Sequence, residues 1–463
     1  MKFKKFGKAL LMSALSAGVL LSVTSCVQSY SVGYLYVTGT VASTTDGSGI
    51  ISGFKIDHNT GKLTPIHGMP VSSGGANPVR AVLVSASRFL YVLNKGVPQP
   101  GQTECTTEYP CTGSNIAQFM VGANGILTPV ETFYTQGLNP IRMVADSSGN
   151  HIYVLEHDSQ INNLASSATN PNPSCGAALS GATTCGDISI FSVNSTTGRL
   201  TLVLDAQATT ALGTAPLPYF PVPSDPIDFV LYGGYVYTVS GTPATGDAIF
   251  PYAYNSTSGV LSVVSNSSQP LSSSQTANGL VDNATAINYG ASYIYVLDNE
   301  PITIDGSVVS QSQILPYGVG ANGALTAASS GPIPDDANQS NPIYLVLENK
   351  GKWFYVANQG NNTTGTGTEQ SGITGYVVNN PFQPTEMAGT PVGFGTGGGP
   401  QCLVEDPSNQ FFYTANFNDS TVTGQALDTV SGTLVPLSNS TKAASEYTLT
   451  GPPTWCLVDG RVG

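Results

Sequence analysis

The chain has 463 residues, of which 15 are Lys or Arg and 28 are Asp or Glu, which gives a formal net charge of −13 at pH 7. A surface this acidic repels phosphate backbones and anionic headgroups, so nucleic acid and anionic membrane surfaces are excluded as partners. The sequence has no glycine-rich phosphate loop, no nucleophile elbow and no Cys/His metal spacing, so no metal and no cofactor is expected.

Residues 1–25 have the features of an export signal. Four lysines precede an apolar stretch that is too short to span a membrane as a helix. The segment leads into Val23-Thr24-Ser25-Cys26, which resembles the lipobox of bacterial lipoproteins. That resemblance implies that Cys26 carries a diacylglyceryl group and becomes the mature N-terminus. The alternative is ordinary signal cleavage, with Cys26 incidental.

The expected location follows from this leader. Residues 26–33 form a linker behind the lipid anchor, and Val27 in place of aspartate favours the outer membrane in enteric-type sorting. We expect an exported lipoprotein of the cell envelope, at the outer membrane or periplasmic face, that touches the membrane through its anchor only. Loss of the four leader lysines takes the net charge from −13 to −17.

A strand built around one tyrosine recurs seven times, every 55 to 84 residues. Each tyrosine lies in a run such as YLYVTG, FLYVLN or FFYTAN, whose aromatic and aliphatic residues suit a pleated, half-buried surface. Because no such unit buries its face alone, we predict that residues 34–463 form one all-β domain, a seven-bladed β-propeller of four-stranded antiparallel blades. The tyrosines are Tyr36, Tyr91, Tyr153, Tyr237, Tyr295, Tyr355 and Tyr413.

Two further elements complete each blade, whose strands we name A to D in order. A strand that mostly follows a proline, such as NPVRAVLV, precedes the tyrosine strand, and a hairpin with a glycine turn, such as FKIDHNTGKLTPI, comes after most of them. Blade six departs, with NNPFQPTEM. Blade one starts without an A strand, whereas the C-terminal GPPTWCLVDG copies the A-strand pattern. The last strand is therefore predicted to pair beside the first and close the ring.

The two faces of the predicted disk differ. The B-to-C and D-to-A connections form the long-loop face, with the segments 95–115, 155–187, 204–226 and 265–283, and the A-to-B and C-to-D connections form the tight-turn face. Because long connections gather on the long-loop face, that face is predicted to bind a ligand or partner. The alternative is that these loops lengthened by neutral drift. Since blade one begins close to Cys26, the tight-turn face is expected to lie toward the membrane.

Six cysteines remain besides Cys26, an even number that suits an oxidising compartment. Cys105 and Cys111, and likewise Cys175 and Cys185, are close pairs in Gly-, Ser- and Thr-rich loops, where local disulfides are expected. Cys402 and Cys456 lie in neighbouring A strands. They are candidates for a disulfide that joins the closing strand to blade seven, or else they are small buried thiols.

Alignment of the A strands predicts a ring of side chains near the axis. Arg80 and Arg142 suit a carboxylate or phosphate, with Asp228 and Tyr344 as hydrogen-bonding partners. Alternatively, the arginines pair with neighbouring acids or bind only water. The whole predicted ring is Arg80, Arg142, Asp228, Ala286, Tyr344, Cys402 and Cys456.

A second candidate site lies at the end of the third B strand, where Glu156, His157 and Asp158 follow one another on the long-loop face. A carboxylate beside an imidazole suits acid–base chemistry or ligand binding. The alternative is a solvated turn.

With YVTG, YVLN, YVAN and YTAN after an A strand and before the hairpin, the repeats resemble the lactonase family of seven-bladed propellers, the 6-phosphogluconolactonase or cycloisomerase-2 type, and the related YVTN-repeat propellers. The resemblance covers about residues 34 to 463. It implies the propeller fold and a lactone-opening site with histidine, arginine and glutamate near the axis. Those positions here read Arg80, Arg142, Asp228, Tyr344 and Cys402, with no histidine.

Three hypotheses for function follow. The leading one is an exported, lipid-anchored, lactonase-like propeller, expected to be a monomer, that binds a small molecule or an envelope protein or glycan through its long-loop face without catalysis. The alternative is a lactone hydrolase for an extracytoplasmic sugar lactone, in which Arg80 or Arg142 acts with a water-activating Asp228 or Glu156. The third is a purely structural envelope protein.

Overall fold

The computed structural model of the chain describes residues 30–42, 47–84, 88–159, 185–209, 216–242, 246–264, 268–272, 281–290, 293–361, 370–387, 397–437 and 446–460. The regular secondary structure of these residues is all β except for one short 3-10 turn at Ala321–Gly323. No helical segment in this part of the chain has the length and apolar character needed to cross a bilayer.

Seven antiparallel sheets of four or five strands form the blades, and the predicted seven-bladed propeller is confirmed. The A strands of successive blades contact one another and therefore surround the axis. From blade one to blade seven, the A strands are Pro453–Asp459, Pro78–Val84, Leu138–Ala145, Pro226–Tyr232, Ala284–Gly290, Pro342–Leu347 and Pro400–Glu405. The B strands are Ser31–Thr40, Phe89–Asn94, His151–Asp158, Tyr235–Thr242, Tyr293–Asp298, Trp353–Asn358 and Phe411–Asn416.

The C and D strands form the outer half of each blade. The C strands are Ser48–Asp57, Asn115–Val121, Gly186–Val193, Gly246–Tyr254, Gln313–Val319, Gly372–Val377 and Thr421–Leu427. The D strand is split into two parts in five blades and is continuous in blades two and six. From blade one to blade seven, the D strands are Leu63–Pro65 with Val71–Ala76, Leu127–Phe133, Leu200–Leu202 with Phe220–Val222, Leu261–Val263 with Gln269–Pro270, Leu325–Ala327 with Ile333–Pro334, Thr385–Glu386, and Leu434–Pro436 with Glu446–Thr448. There are two extra hairpins. Asp205–Thr209 with Pro216–Leu217 lies between the two halves of the blade-three D strand, and Ile302–Ile304 with Ser307–Ser310 lies in the B-to-C connection of blade five, on the long-loop face.

The B strands provide most of the core because they lie in the middle of each sheet, with a neighbouring blade on both sides. Every residue of Phe89–Asn94, Trp353–Asn358 and Phe411–Asn416 is buried. A strand buried on both faces needs apolar side chains on both, which explains why these runs are almost continuously hydrophobic.

Every A strand contains a bulge near its first residue, and this bulge decides which side chain reaches the axis. Pro78 pairs with Asn94 but Arg80 pairs with Leu93, so two steps on one strand match one on the other. In the C-terminal strand the same register puts Trp455, not Cys456, at the level of the ring. The predicted ring position of Cys456 was wrong by one residue, because the alignment matched the Cys-Leu-Val runs of two A strands and a one-residue slip turns each side chain to the other face.

The ring closes as predicted. The C-terminal A strand pairs with the B strand of blade one, Tyr36 lying opposite Leu457. A disulfide between Cys402 and Cys456, with a Cα separation of 5.8 Å, joins this strand to blade seven.

The loop disulfides are observed as far as the described residues allow. Cys105 is bonded to Cys111 within the segment 95–115. Cys185 is also disulfide-bonded. Its predicted partner Cys175, and the predicted lipid-anchor residue Cys26, lie outside the described residues.

The seven repeated tyrosines link the blades to one another. Each hydroxyl donates a hydrogen bond to a backbone carbonyl in the C-to-D hairpin of the next blade. Six acceptors are the hairpin glycines with positive φ; Tyr295 uses Pro381, because blade six lacks that glycine. In the order of the tyrosines the acceptors are Gly125, Gly198, Gly259, Gly323, Pro381, Gly432 and Gly61.

The bond from the Tyr413 hydroxyl to the Gly61 carbonyl, 2.6 Å long, joins the last blade to the first. We expect Tyr413→Phe to lower the free energy of unfolding by about 1 to 3 kcal/mol, because it leaves a buried carbonyl unpaired. Tyr295→Phe is the matched control: its bond to Pro381 is only partly buried, so water can replace it and the loss is about 0.5 to 1.5 kcal/mol. Equal losses in urea unfolding would contradict this account.

Candidate functional site

Arg142 and Asp228 form a buried ion pair across blades three and four. Arg142 Nε lies 2.9 Å from Asp228 Oδ1, and the two side chains are 9% and 3% exposed. Asp228 also accepts hydrogen bonds from the backbone N–H groups of Phe229, at 2.8 Å, and Ile287, at 3.1 Å. Burial raises the pKa of Asp228, and Arg142 with the two N–H groups opposes that shift. The carboxylate is thus fully engaged, whereas Arg142 Nη1 has no hydrogen-bond partner among the described residues.

Arg80 is held by an indole. Its guanidinium carbon lies 3.8 Å from the centroid of the Trp455 ring, a cation–π contact. Tyr344 meets the same indole edge-on, with ring centroids 4.9 Å apart, and Arg142 lies 5.5 Å from it. In the described part of the chain no carboxylate lies within 4.0 Å of Arg80. Stacking leaves the N–H groups at the edge of the guanidinium plane available for hydrogen bonds. Arg80 therefore carries a positive charge that no neighbouring carboxylate neutralises.

These side chains form the inner end of a cavity of about 500 Å³ on the axis. Its walls come from the A strands of blades one, two, three, six and seven and are mostly aliphatic, with Val82, Leu83, Val144, Leu347 and Leu457 among the lining residues. All lining residues lie between the ring level and the A-to-B turns, so the cavity occupies the half of the disk on the tight-turn side. An A strand rises about 3.3 Å per residue, so three residues from the ring give a depth of about 10 Å.

The outer end of the cavity is polar. The backbone N–H of Asn349 donates to Glu405 Oε2 at 2.9 Å, and Glu405 Oε1 has no hydrogen-bond partner among the described residues. Burial raises the pKa of Glu405 to about 8, so this carboxyl is mostly protonated at neutral pH. An adjoining cavity of about 570 Å³ adds Tyr289 and Lys350 to the same end. Tyr289 is 47% exposed.

The structure places Glu156 away from this cavity. Its side chain is fully buried, and Ser189 Oγ donates to Glu156 Oε2 at 2.7 Å. Burial raises the pKa of Glu156, and burial together with the charge of Glu156 raises the pKa of the adjacent Asp187 carboxyl well above its ordinary value. Glu156 does not line the axial cavity.

His157 is part of a network that holds the disulfide loop. His157 Nδ1 lies 3.0 Å from Asp158 Oδ2, and this hydrogen bond is the main cause that raises the pKa of His157. Asp158 also accepts from Asn139 Nδ2 and from Thr107 Oγ1 of the loop, each at 2.9 Å. The second candidate site is therefore separate from the arginine ring. Nowhere in the described residues do three or more His, Cys, Asp or Glu side chains come together to hold a metal ion.

Sequence reasoning missed two residues of the cavity. Trp455 was detectable, because it lies two residues after Pro453, as Arg80 and Arg142 follow their own prolines. Glu405 had no such signal, since an acid before DPSN is typical of a solvated turn.

Fold and site together define a closed seven-bladed β-propeller with a cationic cavity on its axis. Residues 34–172 match the sequence profile of the family described as lactonase, 7-bladed β-propeller, which confirms the resemblance seen in the repeats. Over this part of the chain the protein is similar to the lactonase propellers, and the seven-bladed fold extends through the rest of the described residues. No curated protein matches the sequence.

Several solved structures have the same fold along almost their whole length. A putative 6-phosphogluconolactonase from Bacteroides uniformis is 13% identical, with a TM-score of 0.59 over 92% of this chain and 99% of that one. The periplasmic gluconolactonase of Pseudomonas aeruginosa is 14% identical, with a TM-score of 0.59 over 92% and 99%. A putative 6-phosphogluconolactonase from Bacteroides fragilis is 12% identical, with a TM-score of 0.58 over 92% and 98%. At these identities the likeness shows the fold alone.

Proposed function

We propose that this propeller binds a small anionic ligand in its axial cavity, without catalysis. The observation that carries the proposal is the inner end of the cavity, where Arg142 is paired with Asp228 and Arg80 has no carboxylate partner among the described residues. Guanidinium N–H groups left unpaired away from bulk water are costly, and an anionic ligand satisfies both their charge and their hydrogen bonds.

Lactone hydrolysis is the second candidate, and the family profile favours it. Hydrolysis requires a group that activates water beside the lactone carbonyl. Both acids predicted for that role are engaged elsewhere: Asp228 accepts from Arg142 and two backbone N–H groups, and Glu156 is buried against Ser189 outside the cavity. Binding without turnover therefore fits the geometry better.

Turnover of a panel of sugar and aromatic lactones by the purified full chain tests this choice. We expect no hydrolysis above the uncatalysed rate. The comparison uses Arg80→Gln, which removes the unpaired charge. Its control is Arg199→Gln, which removes a 66% exposed arginine in the C-to-D hairpin of blade three, outside the axial cavity. Hydrolysis that Arg80→Gln abolishes and Arg199→Gln preserves would establish the enzyme instead.

We also propose that the protein is exported and anchored by Cys26. Support comes from the lipobox-like leader and from the disulfide-bonded cysteines, which are typical of oxidising compartments. In a bacterial host, Cys26→Ala is expected to abolish incorporation of labelled fatty acid and to move the protein into the aqueous phase of a detergent partition. Cys105→Ala is the control that keeps the label. A Cys26→Ala protein that still carries the label would exclude this anchor.

A partner on the long-loop face remains a prediction. If the anchor is correct, the tight-turn face and the mouth of the axial cavity face the membrane. The long-loop face is then left free on the opposite side.

A further inference from the structure

We infer that the ligand of the axial cavity is a monocarboxylate with a compact apolar body, and that it enters from the tight-turn face. This inference rests on the anion-binding function proposed above. It adds the charge, the shape and the direction of entry of the ligand.

The charge of the ligand follows from the groups around the cavity. Asp228 neutralises Arg142, so Arg80 supplies the one uncompensated charge at the inner end. Glu405 is mostly neutral at the outer end, and Lys350 there is exposed, so solvent screens it. One negative charge balances the inner end of the cavity. A phosphate monoester, with about −1.5 to −2 charges, would leave negative charge buried without a partner.

The shape of the anionic group follows from the stacking of Arg80 on Trp455. A guanidinium held by its face presents its N–H groups in one plane, which matches the two oxygens of a carboxylate. Arg142 lies beside the same indole and has an unpaired Nη1. The two arginines are thus arranged to hold one carboxylate between them.

The aliphatic walls determine the rest of the ligand. Between the arginines and the outer end the cavity is lined by side chains such as Val82, Leu83, Val144 and Leu347. A polyhydroxylated ligand would leave hydroxyl groups unpaired against these walls, whereas an aromatic or aliphatic body buries well. The depth of about 10 Å accommodates a body the size of 3-phenylpropionate or octanoate.

The direction of entry follows from the closure of the ring level. Five of the seven ring residues are at most 7% exposed, namely Arg142, Asp228, Ala286, Cys402 and Trp455, and the half-buried Arg80 and Tyr344 line the cavity itself. The described lining reaches only the A-to-B turns, where Tyr289 and Lys350 lie at the outer end. The open end is therefore on the tight-turn face, and its aromatic and cationic groups favour an acid with an aromatic body.

Equilibrium binding by titration calorimetry with the purified full chain in detergent tests the ligand class. The probes are 3-phenylpropionate, octanoate, the neutral 3-phenylpropanamide, phenyl phosphate and gluconate. The two apolar acids are expected to bind, and the amide to bind about tenfold or more weakly, because it lacks the charge that pairs with Arg80. Arg80→Gln should weaken acid binding by about the same factor, and Arg199→Gln should leave it unchanged.

Arg80→Lys is the second variant, in case Arg80→Gln does not fold. It retains the positive charge and loses only the planar guanidinium that stacks on Trp455. Its affinity should lie between those of wild type and Arg80→Gln. If the amide binds as tightly as the acid, if Arg80→Gln binds normally, or if nothing in the panel binds, the inference is overturned. Preference for phenyl phosphate or gluconate, with dependence on Arg80, also overturns it but leaves the proposed anion-binding function standing. Lactone turnover that depends on Arg80 removes that function itself.

Entry is tested by blocking one face at a time. Tyr289→Cys places a thiol at the outer end of the cavity, and Tyr109→Cys, at a 38% exposed position in the disulfide loop, is the matched control on the long-loop face. A bulky maleimide on Cys at position 289 should slow association of 3-phenylpropionate, and the same label at position 109 should not. The reverse result places the entrance on the long-loop face and overturns this part of the inference.

Discussion

Replacement of both Cys402 and Cys456 by alanine is expected to lower the free energy of unfolding by about 4 kcal/mol. The disulfide closes a loop with a sequence separation of 54 residues, so its loss restores much conformational freedom to the unfolded chain. It also joins the closing A strand to blade seven, and both sulfur-bearing residues are buried. The ring should therefore open first at this seam.

The matched control is the double alanine variant at Cys105 and Cys111. That disulfide spans a sequence separation of only 6 residues within one loop, so its loss should cost about 2 kcal/mol or less. Urea unfolding without reductant measures both losses. Equal losses, or a wild-type protein that loses no stability when its disulfides are reduced, would show that the Cys402–Cys456 bond does not hold the ring.

Arg142→Met is expected to lower the free energy of unfolding by about 3 to 5 kcal/mol at neutral pH, because it leaves Asp228 buried without a cation. The loss should be smaller in acid. Burial raises the pKa of Asp228 in the folded protein, so the folded state holds its proton more tightly than the unfolded state. The stability that this proton contributes is fully present below the pKa of Asp228 in the unfolded chain, and it is lost as the pH rises through the pKa of Asp228 in the folded protein. The Arg142→Met variant should therefore be more stable in mild acid than at neutral pH.

Two further variants separate the ion pair from general packing. Arg142→Met with Asp228→Asn removes the orphaned charge and should recover a substantial part of the stability at neutral pH. Arg199→Met removes an exposed arginine, whose contact with Glu131 is worth at most about 1 kcal/mol. If the double variant recovers nothing, the cost of Arg142→Met comes from lost packing rather than from the charge of Asp228.

Much of the fold was predictable because the propeller is a sum of local repeats. Tyr36, Tyr91 and their five counterparts each indicated one blade, and the orphan strand at each end indicated how the ring closes. The two observed cysteine pairs were also predictable, since Cys105 and Cys111 are close in sequence and the strand order brings Cys402 next to Cys456. The tyrosines' hydrogen-bond acceptors were not, because each lies in another blade.

The site was predictable only in part. Arg80, Arg142, Asp228 and Tyr344 were correctly brought together, since each lies two residues after a proline near the start of its A strand. The ring position assigned to Cys456 was wrong, because a strand pattern does not show where a bulge adds a residue. Whether Arg80 or Arg142 takes Asp228 as its partner depends on distances across the axis, which no pattern along the chain contains.

By itself, then, the sequence determined the number of blades, their strand order, the closing strand and the cysteines that lie near one another, because these depend on periodicity and local pattern. Only the tertiary structure decided that Trp455 stacks on Arg80, that Asp228 neutralises Arg142, and that the cavity lies on the tight-turn side. Those features depend on side chains from different blades that meet at the axis. Their contacts depend on the curvature of the ring and on a one-residue bulge, neither of which hydrophobic periodicity encodes.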